Sequence, residues 1–474
     1  MIIKNISLKN LITFFFLFFF SFVNINYNFL NISGTTNFYN IPATNSEIET
    51  TDGIIYGLTT GNFMLGRYQR DGQQTWKNPH EYKILFEERS EGNEFLKYVS
   101  SYGLQAKIFG KLVKNFSLKL NQLHLINSFI FSIIIASFVI LLQRNFSFLP
   151  SFIFALAIST SPWVIAHGKD IRWITWSWYL PIWCIMFVNY YFDLKKTNIF
   201  LICIILVFLS ILLRCLFGYE YISTIISITF FFFSFIILKK KISYSKKISF
   251  ISIIAIITLL GFFSSFLFQN EINVKNKSKN FSIIKQRIYL NLGIIDKQSL
   301  EKNPCLARSF RSEKENVEDC KKDLISELNN QSAGRIEVVA RYFVFRNLLP
   351  WIGNLEIYIN NNLKNYLKDI FWNRNYKNIL IIKEYVSFKN ILPILSVIIQ
   401  STLFLLVVIF SFVKIYKHGD LADKVLLTGA FFSSISWFFL ANKYAYVHLH
   451  LCFIAWYLSF IPFAYALIIQ KLSK

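Results

Sequence analysis

Charged side chains are scarce, at 16% of 474 residues, against about 25% in a soluble globular domain. That shortage excludes an ordinary water-soluble enzyme. Acids are scarcer than bases, 27 against 50, which leaves a net charge of +23. No Walker-type phosphate loop, GxGxxG turn, CxxC or HExxH occurs in the sequence. Neither a nucleotide-binding fingerprint nor a local metal-ligand spacing is therefore present. Apolar residues fill the chain instead: 54% are hydrophobic, there are 52 Phe, and the mean hydropathy is +0.43. So much apolar surface excludes a disordered chain. The composition predicts an all-α polytopic membrane protein. In that setting the basic excess reads as topology, because Lys and Arg collect in cytoplasmic loops. No nucleic-acid partner is expected.

A spanning helix takes roughly 20 mostly apolar residues. Ten candidate spans follow, near 9–30, 122–142, 147–167, 172–192, 197–216, 219–238, 248–268, 390–413, 425–441 and 445–470. The first has a short apolar core, but Asn24-Ile25-Asn26-Tyr27 follows it where a cleaved signal peptide would show a small-x-small site, so it is expected to stay as an anchor. With the N-terminus inside, Lys4, Lys9, Arg144, Lys195, Lys196, Lys239 to Lys241, Lys246, Lys247, Lys414, Lys417, Lys424, Lys471 and Lys474 fall at inner ends. Only Lys169, Arg172, Arg214 and Lys443 fall at short outer ends. That asymmetry predicts cytoplasmic termini. The expected organisation is a first anchor (1–30), a first outer, periplasmic loop (31–121), a six-helix core (122–268), an outer helical insert (269–389) and three last spans (390–474).

Within the first loop, Phe95, Val99, Tyr102, Ala106, Phe109, Val113 and Phe116 are spaced four or three apart. This periodicity predicts one amphipathic helix over 94–119. Its neighbouring Lys107, Lys111 and Lys114 suit a membrane interface, or else the helix packs on the protein's own loops. Cys184, Cys203, Cys215 and Cys452 sit in apolar spans, where a thiol packs as a small hydrophobe. Cys305 and Cys320 share the outer insert and form a candidate disulfide.

The polar residues that border the spans converge on one membrane face. They include Lys169 and Asp170 after His167, Arg172, Arg214, Glu220, and Lys443, His448 and His450. Charges at such depth are expensive and usually face a partner or a cavity. Each also has a plainer reading: Arg214 with Glu220 as an ion pair closing a hairpin, Lys169 and Asp170 as solvated turn residues, Lys443 as a snorkelling anchor. His448 and His450 are two apart, the wrong spacing for a shared metal on a helix. Together the group suits an outward-facing site for an anionic amphiphile, with cations on phosphate oxygens and Asp52 or Asp170 handling a proton.

An N-in first span, a long outer loop opening on an acidic segment, and then a bundle of spans resemble the C-type membrane glycosyltransferases, the superfamily of protein mannosyltransferases and aminoarabinose transferases. Asp52, in Asp52-Gly53-Ile54-Ile55-Tyr56, matches in position their first-loop carboxylate. Tyr102-Gly103-Leu104-Gln105, Ser161-Pro162-Trp163 and Gly218-Tyr219-Glu220-Tyr221 look like pieces of bacterial membrane proteins of this type. The usual Asp-Glu doublet is absent, because Gly53 follows Asp52. The large outer insert also precedes the last spans, where the family often has a soluble domain after them. The resemblance covers roughly residues 1–240. It implies an inverting hexosyl or pentosyl transferase that moves a sugar from a polyprenyl-phosphate carrier to a glycan, lipid or protein acceptor outside, among membrane lipids. Asp52 or Asp170 would be the base, and Lys169, Arg172, Arg214, Glu220, Lys443, His448 and His450 would lie around the lipid phosphate. Some relatives use a divalent metal and others none. A lipid-linked saccharide flippase and a surface-polysaccharide polymerase or ligase are the competing expectations. Glu47 and Glu49 are rivals to Asp52, but their more polar stretch is expected to be mobile.

Overall fold

The computed structural model describes residues 7–30, 47–70, 79–98, 101–275, 310–311, 339, 388–441 and 454–473. The apolar runs become helices. Helix α1 (Leu8–Tyr27) starts at Ser7, whose hydroxyl accepts the Asn10 amide, and stops at Asn28 in the left-handed conformation, which Asn tolerates at a helix end. The first loop then folds as α2 (Glu47–Thr60), β1 (Gly66–Gln69), α3 (Pro79–Glu87), β2 (Glu94–Tyr98) and α4 (Leu104–Phe116). The bundle follows as α5 (Leu120–Leu141), α6 (Phe148–Ser159), α7 (Pro162–Gly168), α8 (Trp176–Tyr191), α9 (Thr197–Phe217), α10 (Ile222–Leu238) and α11 (Tyr244–Lys275). After strand β3 (Phe310–Arg311) come α12 (Phe388–His418), α13 (Leu421–Leu440), α14 (Ile454–Leu458) and α15 (Phe460–Leu472).

Among the described residues, four helices are long and apolar enough to cross a membrane: α1, the stretch Leu120–Arg144, α9, and Tyr244–Phe268 within α11. The pair α6 and α7, bent by 61°, makes a fifth if it is one span. The third expected span is thus broken, because Ser161 caps a new helix with Pro162 in its first turn, where proline needs no amide partner. The expected span at 172–192 is the 16-residue α8, with Pro181 inside it. Part of the last expected span and most of the insert 269–389, including Cys305 and Cys320, lie outside the described residues.

Two features of the first loop differ from the periodicity reading. Residues 94–98 are a strand, paired antiparallel with β1 (Gly66 opposite Lys97, Gln69 opposite Glu94) and with β3 (Lys97 opposite Arg311). The helix begins only after Gly103, whose φ of 72° is open to glycine and costly for other residues. Part of the apolar side of α4 packs on the protein itself, while Phe116 stays exposed. Ala106, Phe109 and Val113 are buried, and Phe109 and Val113 share a second core with Ile48, Ile54 and Ile55 of α2, Leu120 and Leu123 of α5, and Ile171, Ile174 and Phe217. Burying a side chain such as Phe or Val is worth about 1.5–3 kcal/mol, so this core fastens the loop to one end of the bundle. The second difference is the stretch from Glu47, which is a buried helix where mobility was expected.

The opposite end gathers basic residues. Arg144 donates to the carbonyls of Tyr190 and Phe192, both at 2.9 Å, and Lys246 reaches the Lys195 carbonyl at 3.4 Å. Asp423, buried at the start of α13, is held by Lys239 at 2.8 Å and by Lys471 of α15 at 2.5 Å. The main core runs between these ends and is rich in aromatic contacts, such as Phe138 edge-on to Phe154 and Trp178 against Tyr221.

Candidate functional site

The three acids of helix α2 are all buried. Gly53 lets α2 lie close against the segment leading into β1: a Cβ there would run into the Met64 carbonyl. Asp52 is clamped by Arg70, which donates to both carboxylate oxygens at 2.8 and 3.0 Å, while the Tyr68 amide donates at 2.9 Å. Burial pushes the Asp52 carboxyl above its ordinary range, against the pull of Arg70 and the Tyr68 amide. Every strong contact of Asp52 therefore ties α2 to the β1 region.

Glu49 and Glu47 face the bundle. Glu49 accepts Arg67 at 2.8 Å and the Arg172 Nε at 3.1 Å. Arg172 then reaches Glu220 at 3.6 Å, and Glu220 takes Arg214 at 3.0 Å. Two anions thus alternate with three cations along one buried line. Arg172 would lose proton affinity through burial alone, but Glu220 and Glu49 hold it above its ordinary value. Isolated buried charges cost several kcal/mol each, so the alternation is what permits the cluster to exist. Glu47 accepts the Ile171 amide at 3.0 Å and pairs with His124 Nε2 at 2.7 Å. This fixes the first turn of α2 over the segment that follows α7.

Asp170 lies in that segment and is fully buried. Its Oδ1 accepts the Arg172 amide at 2.6 Å. Its Oδ2 is buried with no hydrogen-bond partner among the described residues. Burial, with Glu47 nearby, holds the Asp170 carboxyl well above the usual carboxylate range; Arg172 and two backbone amides act in the opposite sense. Beside it, burial draws the Lys169 ammonium down to about 8, although Glu47 and Asp170 oppose the shift. Asn127 steadies this turn by donating to the carbonyls of Gly168 and Asp170, and takes the Trp176 indole N–H at 2.8 Å.

Of the residues expected from sequence, Lys169, Asp170, Arg172, Arg214 and Glu220 come together, while Asp52 pairs apart from them with Arg70, on the same helix as Glu49. Lys443, His448 and His450 lie outside the described residues. Arg67, Arg70 and His124 join the site without having been expected there, and Glu47 and Glu49, expected only as rivals to Asp52 in a mobile stretch, join it as buried ion-pair partners. Their signal was faint: acids at 49 and 52, then arginines at 67 and 70, opposite in sign and equal in spacing. Among the described residues no group of three His, Cys, Asp or Glu is arranged to hold a metal ion. Cys184, Cys203 and Cys215 are buried free thiols. No protein-family model, no curated protein and no solved structure matches the chain.

Proposed function

We propose that this protein is a membrane glycosyltransferase that takes a sugar from a polyprenyl-phosphate carrier and passes it to an acceptor hydroxyl at the outer face. In this reading the chain crosses the bacterial inner membrane ten times with both termini in the cytoplasm, and the end bearing α2 faces outward. The observation that carries the reading is the docking of an acidic first-loop helix onto span ends that supply Arg172, Arg214 and the proton-hungry Asp170. Such a site brings a base and fixed cations together in little water, where electrostatic stabilisation is strongest.

The chemistry needs two events. An acceptor oxygen bonds to the anomeric carbon and loses its proton, and the bond from that carbon to the phosphate oxygen breaks with its electron pair going to phosphate. Asp170 suits the first event, because it has an oxygen with no partner among the described residues and a raised affinity for protons. Asp52 suits it less, since a proton arriving there would have to displace Arg70. Arg172 and Arg214 suit the second event by neutralising the phosphate. The reading also requires the first turn of α2 to part from the bundle when substrates enter, since Glu47 covers the Ile171 amide. Closing such a lid would exclude water from the reaction.

The test is transfer from a synthetic short-chain prenyl-phosphate sugar by purified protein in lipid vesicles, read by mass spectrometry of the acceptor, with Asp170→Asn beside the wild type. A folded Asp170→Asn variant should lose roughly 10²–10⁴ in turnover. Transfer at the wild-type rate would remove Asp170 as the base. No transfer or hydrolysis with any of a panel of prenyl-phosphate hexoses and pentoses would remove the reading.

A further inference from the structure

The two arginines assigned to phosphate are already engaged. Glu220 sits between Arg172 and Arg214 with one carboxylate oxygen toward each, at 3.6 and 3.0 Å. The arginines are nonetheless not fully used. Arg172 Nη1 and Arg214 Nε are each buried without a hydrogen-bond partner among the described residues, and so is the indole Nε1 of Trp178. The Trp178 ring lies 5.6 Å from the Arg214 guanidinium carbon. Two arginines paired to one carboxylate, and an indole beside one of them, thus keep three buried donors unmet, whereas buried donors are nearly always satisfied in folded proteins. A phosphate brings more acceptor oxygens than a carboxylate, and arginine holds it in the same forked geometry.

The segment that carries Glu220 is crowded and strained. Gly218 ends α9, and a Cβ there would collide with the Glu220 carboxylate. Tyr221 is held at φ 60°, a strained conformation for a bulky residue. Its ring is anchored between Trp178 and Trp437, with ring centroids 5.0 Å away on each side. Glu220 is more exposed than the two arginines it bridges, with its side chain at 15% against 4% for Arg172 and 1% for Arg214. The arginines are fixed and Glu220 is the part with a way out.

We propose that Glu220 is a resident stand-in for the ligand's phosphate. It neutralises Arg172 and Arg214 while the site is empty and swings aside when a phosphate-bearing ligand takes its place. This rests on the proposed function only for the ligand's identity, because the exchange itself requires nothing more than a phosphate. It implies that an acidic side chain in the site competes with the substrate, so that removing its charge strengthens binding.

The experiment uses the purified full-length protein in detergent, with farnesyl phosphate, inorganic phosphate and neutral farnesol as probes. Glu220→Gln should bind farnesyl phosphate roughly tenfold to a hundredfold more tightly than wild type, as expected when a charge-assisted competitor is lost. Gly218→Ala, which crowds the Glu220 carboxylate out, should move affinity in the same direction. Wild-type affinity or weaker in both variants would overturn the proposal. A measurement on the wild type guards against variants that fail to fold: carbodiimide labelling of Glu220, mapped by mass spectrometry, should rise when farnesyl phosphate is added and stay level with farnesol. No rise would likewise overturn it. If inorganic phosphate also raises labelling, the site reads the phosphate alone; if only farnesyl phosphate does, it reads a lipid headgroup. Absence of sugar transfer alongside intact exchange at Glu220 would refute only the glycosyltransferase reading. Transfer without exchange would refute only this one.

Discussion

Asp52→Asn and Asp170→Asn remove the same charge from two carboxylates with opposite surroundings, and the structure predicts opposite phenotypes. At position 52 the change breaks a buried bidentate pair: Asp52 and Arg70 side chains are 4% and 8% exposed, and two bonds of 2.8 and 3.0 Å join them. Removing one partner of a buried pair costs about 3–5 kcal/mol, because the remaining arginine is left without a counter-ion. Asparagine retains one acceptor oxygen for the Tyr68 amide or for Arg70, which places the expected loss at the lower end, about 3 kcal/mol. At position 170 the asparagine oxygen can still accept the Arg172 amide, and the oxygen replaced is the one without a partner among the described residues. There the stability effect depends on pH. The folded Asp170 carboxyl lies well above its ordinary value, so between the two values the folded state binds more protons than the unfolded one. Wild-type stability must then fall as pH rises from the ordinary carboxylate range to the folded value, and Asp170→Asn should lose its share of that fall and keep the share of Asp52, whose carboxyl burial also raises. The assay is thermal unfolding of both variants in detergent from acid to neutral pH, with transfer activity measured in parallel. Asp52→Asn should be destabilised but active when folded, and an added Arg70→Met should restore most of the loss. An Asp52→Asn protein of wild-type stability with no turnover would refute the clamp and return Asp52 to the role of base.

Three further outcomes follow from the same geometry. Cysteine labelling in intact cells should find position 73 accessible from outside and positions 240 and 418 only after permeabilisation; outside access at 240 would reverse the orientation. Amine-reactive labelling of Lys169 should rise with a midpoint near pH 8, and Asp170→Asn should move that midpoint lower because an opposing anion is gone; a midpoint above pH 10 would show an unburied lysine. Gly53→Ala should destabilise the protein by about 1–3 kcal/mol, since the added methyl meets the Met64 carbonyl, whereas Gly61→Ala has open space around it but a φ of 76° and should cost no more than about 1–2 kcal/mol.

The bundle was readable because hydropathy and charge are local properties: an apolar run announces a helix, and lysines announce which ends lie together. Arg144, Lys195, Lys239 and Lys471 do gather at one end, and Asp170, Arg172, Arg214 and Glu220 at the other. The acidic helix was not readable. Glu47 and Glu49 look solvated until Arg172 and the Ile171 amide, more than a hundred residues away, are placed against them, and no period in the chain encodes that pairing. The strand at 94–98 was masked by coincidence. Phe95 and Val99 fit a helical spacing with Tyr102, yet Glu94-Phe95-Leu96-Lys97-Tyr98 fits a half-buried strand as well, and only Gly103 marks the break. The bend between α6 and α7 had a local signal in Ser161-Pro162, a helix start, which the apolar run around it concealed.

The tie between Lys239, Asp423 and Lys471 bears on how the protein is made. Synthesis proceeds from the N-terminus, so when α13 is delivered to the membrane Lys239 is already in place, while Lys471 has yet to leave the ribosome. Until α15 arrives, Asp423 has one cation where the finished protein gives it two, and the face that α15 will cover stands open. The buried carboxylate thus waits on α15 for its second cation. A truncation that removes α15 would leave it with Lys239 alone beside bare apolar surface.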